Sequence, residues 1–237
     1  MARPRTPLLS RAGIVAAALA LVDAEGLDAL STRRLAAELG VSGPSLYNHV
    51  ATKDELIDAV VDSVVAGVDV SAFAGLGPRL GPGPGPEPEP EPEPDPEPSD
   101  WRSALATWAR SYRAALAAHP NVVPALAQGT GRRPAQLRIA DAVFGGLVAA
   151  GWPRREATSI GALMRSLVLG SALGSFAGSF PADASVYAGV YPHLDQAHLL
   201  ADHQREIDER AFEVGLTAVL DGLELRFAAI QKDDPTD

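Results

Sequence analysis

Four side chains between residues 45 and 49, those of Ser45, Tyr47, Asn48 and His49, end in groups that donate or accept hydrogen bonds. Hydroxyl, phenol, carboxamide and imidazole groups are suited to base edges and phosphate oxygens. They crowd one exposed face of a very short helix, where packing gives them no purpose. What positions them is a second helix just upstream and a tight turn between the two. Leu35, Ala36 and Leu39 form one apolar face of the first helix, with Ser31 as its N-cap. Gly40 supplies the left-handed backbone that favours a helix stop. Val41 fills the crease, Ser42 caps the second helix, and Pro44 sits in its first turn, where a missing N–H costs nothing. Leu46 and Val50 face inward. Helix, glycine-containing turn and helix make the helix-turn-helix pattern, whose second helix enters a DNA groove.

The flanking elements complete a small helical domain. A first helix is expected from Ser10 to Ala24, with Ile14, Ala17, Ala18 and Leu21 inward and Gly26 ending it. Thr52 and Glu55 form a capping box that opens a fourth, linking helix through Ile57, Val60, Val61, Val64 and Val65.

The segment from Ser10 to Val65 resembles the DNA-binding domain of the tetracycline-repressor (TetR) family of bacterial regulators. The resemblance rests on the first helix with its AEGLDALSTRRLAAELGVS continuation, on LYNH in the second helix of the pair, and on KDELID opening the fourth. It implies that Thr32 and Lys53 hold phosphates, while Arg33, Ser45, Tyr47, Asn48 and His49 approach bases or backbone. Gly43 and Pro44 set the start of the recognition helix beside a thymine methyl, and Leu46 belongs to the same contact set. The implied protein is a DNA-binding transcriptional regulator, a repressor released from a palindromic operator by a small-molecule effector. The competing reading is an interaction or architectural protein.

Composition narrows the choice. There is no cysteine, which excludes disulfides, thiolate metal sites and cysteine nucleophiles. No GxSxG, HExxH, Walker or strand-borne GxGxxG motif is present, so no enzyme is expected, and no cofactor or metal. The basic N-terminus lacks an apolar run, so a cytoplasmic protein without a membrane span is expected. The net charge of −10 looks wrong for a DNA binder until it is divided. Residues 67–98 hold seven acidic groups against one basic, more than half of the excess, whereas residues 1–53 hold six basic against four acidic. The electrostatic drive to DNA is modest, so binding should need two copies and be salt-sensitive.

Three regions follow: residues 1–66 for DNA binding, 67–99 as an acidic linker, and 100–237 as an all-helical effector-binding and dimerisation domain. From Gly81 to Pro98 the chain alternates Gly-Pro and then Glu-Pro, which bars helix and interior strand alike. This stretch is a departure from the family's shorter connection. It is either a tolerated insertion or an acidic arm that competes with phosphate or meets a partner.

Beyond Asp100, helices are expected from Trp101 to the His119-Pro120 break, over 122–127, from Pro134 to Ala150 with Leu137, Ala140, Val143, Phe144 and Leu147 inward, over 154–178, and over 203–230. The fold is therefore all-α. The FEVGLTAVLDGLELRF ending resembles the family's C-terminal domain, which implies a homodimer through a four-helix interface. Gly170, Gly174 and Gly178, spaced four apart, suggest a close helix contact, either across that dimer or with the last helix, which offers Phe212, Leu216, Val219, Leu223 and Phe227. Trp108, Tyr112, Phe144, Met164 and Arg165, with Trp101, either line a pocket for a small hydrophobic or amphipathic effector or are plain core. Arg165 is its polar anchor, a surface group or part of an internal ion pair. Asp195, His198 and Asp202 would share a helical face with metal-ligand chemistry, a spacing common by chance.

Overall fold

Side-chain hydroxyls start the first four α-helices. Ser10 accepts from the Gly13 N–H at 3.1 Å, Ser31 from Arg34 at 3.2 Å, Ser42 from Ser45 at 3.3 Å and Thr52 from Glu55 at 3.0 Å. Each satisfies a donor that a helix start leaves without an intrahelical partner. The helices so opened are α1 (Arg11–Glu25), α2 (Thr32–Glu38), α3 (Gly43–Tyr47) and α4 (Lys53–Val65). Gly26 and Gly40, with φ of 83° and 63°, take the left-handed backbone that ends α1 and turns α2 into α3. The computed structural model describes residues 9–76, 100–128 and 132–233. The Gly-Pro and Glu-Pro stretch at 81–98, and with it most of the expected linker, lies outside the described residues.

The remaining helices are α5 (Ser71–Ala74), α6 (Trp101–Ala118), α7 (Val123–Ala127), α8 (Pro134–Ala149), α9 (Arg154–Ala172) and α10 (Gln204–Asp233). Short 3-10 turns join several of them, and no strand occurs among the described residues. The described residues form two compact units, one from 1–67 with 114–138, the other from 68–113 with 139–237.

The first unit packs Ile14, Ala18, Leu21 and Val22 of α1 against Leu35, Leu46, Leu56, Val60 and Val61, all buried. Burying each large aliphatic side chain contributes about 1.5–3 kcal/mol, so this cluster outweighs every surface contact described below. Asn121 donates to the carbonyls of Val22 and Asp23 at 2.9 and 3.2 Å, satisfying the last turn of α1. Arg133, almost wholly buried, pairs with Asp58 at 2.8 Å, and the Ala135 N–H donates to Asp62.

In the second unit Trp101, Trp152 and Phe227 cluster in edge-to-face and tilted contacts, with ring centroids 4.8–5.7 Å apart. Arg102 pairs with Asp221 and Glu224, Arg110 with Glu213, and Arg226 with Glu156, lacing α6 and α9 to α10.

Three expectations need correction. Helix α9 stops at Ala172, not at Gly178, so Gly174 and Gly178 lie beyond it and the glycine stripe reduces to Gly170. The Ser175 hydroxyl accepts from the Gly178 N–H at 2.9 Å, a local bond that competes with a helix already weakened by glycine. Leu137 is 56% exposed, because α8 turns Ala135, Ile139, Val143 and Leu147 inward instead. Asp195, His198 and Asp202 fall on turns and separate 3-10 segments, not on one helical face. Among the described residues no group of His, Asp or Glu could hold a metal ion.

Candidate nucleic-acid interface

Helix α3 is only five residues long, too short to persist by its own hydrogen bonds. The rest of the unit holds it. At its start the Ser42 and Ser45 hydroxyls lie 2.7 Å apart, so Ser45 is engaged in the cap and half-buried. At its centre Leu46 is fully buried. Contrary to its expected place among the contact residues, the Leu46 side chain faces the core and fixes the helix from behind.

What α3 presents outward is Tyr47, 53% exposed, and Asn48, with His49 half-buried beside them. The Tyr47 hydroxyl meets the Thr32 hydroxyl at 3.2 Å, joining α3 to the first residue of α2. Gly43 does not need to be glycine for the fold. Its backbone is not left-handed, and an added Cβ would meet nothing within 4 Å. Pro44 is exposed next to it.

Charge divides cleanly among the cations of these helices. Arg34 is bound to Glu25 at 2.8 Å and to Glu38 at 3.1 Å, and the hydrogen bond to Glu25, more than any other contact, raises its pKa further. Arg11 is bound to Glu55 at 2.7 Å. That bond, followed by the Ala51 N–H, holds the Glu55 carboxyl below the usual carboxylate range. Arg33 and Lys53 are exposed and have no ion-pair partner among the described residues. Of two adjacent arginines, the one expected to approach DNA is the one left free. Sequence reasoning did not single out Arg11, which joins α1 to residues 38 and 44 positions away.

The remaining expected site residues lie in the second unit. Trp108, Tyr112 and Met164 are buried, Phe144 and Arg165 half-buried. Arg165 forms no ion pair among the described residues. Phe144 lies hard against Gly161, and Phe73 against Gly146, where an added Cβ would stand 2.8 Å from the ring. Leu216 and Leu223 are buried within the chain's own core, and Val219 is half-buried. Gly170, Gly174 and Gly178 are exposed.

Residues 14–60 match the model described as bacterial regulatory proteins, tetR family, and residues 93–227 match the tetracyclin repressor-like C-terminal domain. The chain is 31% identical over 217 residues to the class A tetracycline repressor protein from transposon 1721 of Escherichia coli, covering 90% of this chain and 89% of that one. A possible TetR family transcriptional regulator from Streptomyces coelicolor is similar in structure, with a TM-score of 0.67 and 31% identity, covering 91% of this chain and 99% of that one. So is ActR of the same organism in complex with actinorhodin, with a TM-score of 0.66 and 29% identity over 92% of this chain and 98% of that one.

Proposed function

This chain belongs to the TetR family of transcriptional regulators, and from that premise we propose that it is a homodimeric cytoplasmic repressor released from a palindromic operator by a small organic effector. It acts by binding, not by catalysis. The observation that carries the reading is the outward face of α3. Tyr47 on α3 and Asn48 at its C-cap stand exposed on an element held by caps and core, and Arg33 and Lys53, also exposed, have no ion-pair partner among the described residues. In this reading Lys53 and Thr32 meet phosphates, and Arg33, Ser45, Tyr47, Asn48 and His49 approach bases or backbone. The open space over Gly43 lets the backbone come close to a thymine methyl beside Pro44.

Dimerisation is supported by apolar surface that one protomer leaves uncovered. On α10, Val214 and Leu225 are 63% and 76% exposed, and Gly222 lies between them on the same face. On α9, Leu163 and Gly170 are exposed. Large exposed apolar side chains aligned on two helices that pack together are the mark of a protein interface. The proposed interface therefore runs over Val214, Gly222 and Leu225, not over the inward Leu216 and Leu223.

The effector is proposed to be hydrophobic or amphipathic, taken up among Trp108, Tyr112, Phe144 and Met164, with Arg165 as the polar contact. The Trp108 indole N–H and the Arg165 Nε are buried without a hydrogen-bond partner among the described residues, and both could donate to a ligand oxygen. An effector releases DNA only if it favours the conformation whose recognition helices are wrongly spaced.

Footprinting on DNA upstream of the chain's own gene tests the reading, first with protein alone and then with actinorhodin and a tetracycline. A protected palindrome lost on adding one ligand supports it. Absence of any protected site sinks it.

A further inference from the structure

One guanidinium and one carboxylate join three elements of the first unit. Arg11, on the first turn of α1, donates through Nη1 to the His49 carbonyl at 2.8 Å and to Glu55 Oε1 at 2.7 Å. Glu55 Oε2 accepts from the Ala51 N–H at 2.9 Å, so the carboxylate spans from Arg11 to the turn between α3 and α4. The start of α3 is held by Ser42 and its centre by Leu46; the carbonyl just past its end is held by Arg11. We propose that Arg11, braced by Glu55, is a positioning residue for base recognition: it fixes the pitch of α3 without itself touching DNA. The inference rests on the reading that α3 binds DNA, and it adds a residue that the family resemblance did not single out.

The energetics separate this role from simple stabilisation. The side chains are 51% and 38% exposed, and an ion pair in that setting contributes little to stability. Base contacts demand far more, since productive geometry must be held within about 0.5 Å and 10–20°. Loss of the bridge should therefore spare the fold and damage discrimination.

The test uses the full chain and two duplexes of equal length, one a palindrome that the wild-type protein enriches from a random library, the other random. Affinities are measured by fluorescence anisotropy over a range of salt for Arg11→Ala, Arg11→Lys, Glu55→Gln, Asn48→Ala and the Arg11→Ala, Asn48→Ala pair. Arg11→Ala should weaken the enriched duplex about tenfold, the scale of one lost base contact, with the random duplex changed less than about twofold. Arg11→Lys should recover part of the loss, and Glu55→Gln should follow Arg11→Ala in direction. The cost of Asn48→Ala should shrink once Arg11 is gone, because a misplaced helix no longer delivers that contact. A partly unfolded preparation lowers both affinities alike and leaves their ratio unmoved. Equal losses on both duplexes, with the salt slope reduced by about one, would make Arg11 a phosphate contact and overturn the proposal. An unchanged ratio in every Arg11 and Glu55 variant would overturn it as well. If the wild type enriches no duplex, the DNA reading fails first and the inference with it.

Discussion

The hydroxyl of Tyr47, on the recognition helix, lies 3.2 Å from the hydroxyl of Thr32, on the first residue of the helix before it. Two residues assigned separate DNA contacts thus already touch each other. A phosphate bound between them would meet a preformed pair and cost little ordering.

Tyr47→Phe should therefore weaken operator binding more than loss of one hydroxyl contact implies, because Thr32 is freed as well. A double-mutant cycle with Thr32→Val reads this directly. Additive losses would mean that the two hydroxyls act independently on DNA.

Lys53 and Arg33 should separate by kind. Lys53→Ala is expected to weaken all duplexes alike and to lower the salt slope by about one. Arg33→Ala or Asn48→Ala should instead change which base is preferred, measured by competition among single-base variants of the operator. Unaltered preference in both would move those residues to the backbone.

Leu46 and Gly43 test opposite sides of one helix. Leu46→Ala should destabilise the fold by about 2–5 kcal/mol, the range for a buried leucine, and take DNA binding with it. Gly43→Ala should leave the thermal melt nearly unchanged, since its Cβ meets open space, yet weaken operator binding if DNA fills that space.

The recognition unit was legible because its rules are local. Ser10, Ser31, Ser42 and Thr52 cap within three residues, and Gly26 and Gly40 mark the stops by backbone alone. The Arg11 bridge was not legible, since it joins residues 38 and 44 apart and periodicity carries no record of such a contact. In the second unit the pattern of glycines misled. Gly170, Gly174 and Gly178 stand out by their spacing, whereas Gly146 and Gly161 receive aromatic rings at close range. Spacing along one helix does not say which partner's side chain will arrive.

Acid should loosen the protein through carboxylates held below their usual range. The hydrogen bond from Arg110 lowers Glu213, and that from Arg226 lowers Glu156, as Arg11 lowers Glu55. A carboxylate depressed in the folded state favours folding wherever it is ionised in both states, above its unfolded value of about 4.3. As pH falls through the folded pKa, that contribution is lost. The melting temperature should thus vary little with these groups near neutrality and fall in the acid range, and Glu213→Gln should flatten part of that fall. A melt in Glu213→Gln that tracks the wild type throughout would remove this pair from the acid response.

Dimerisation is expected to run through the outward side of α10. Leu225→Arg or Val214→Arg should give monomers that keep their helical content and lose operator binding, because one recognition helix alone supplies half of a palindrome's contacts. The same change at Leu216 should unfold the protomer instead, since that side chain is wholly buried within it. Light scattering with circular dichroism distinguishes these outcomes. Gly174, beyond the end of α9 and with no atom within 4 Å of an added Cβ, should accept leucine without unfolding the protomer. If Leu225→Arg and Val214→Arg both remain dimeric, the interface lies elsewhere. If Gly174→Leu alone gives monomers, the segment after α9 carries the contact that the uncovered face of α10 was proposed to make.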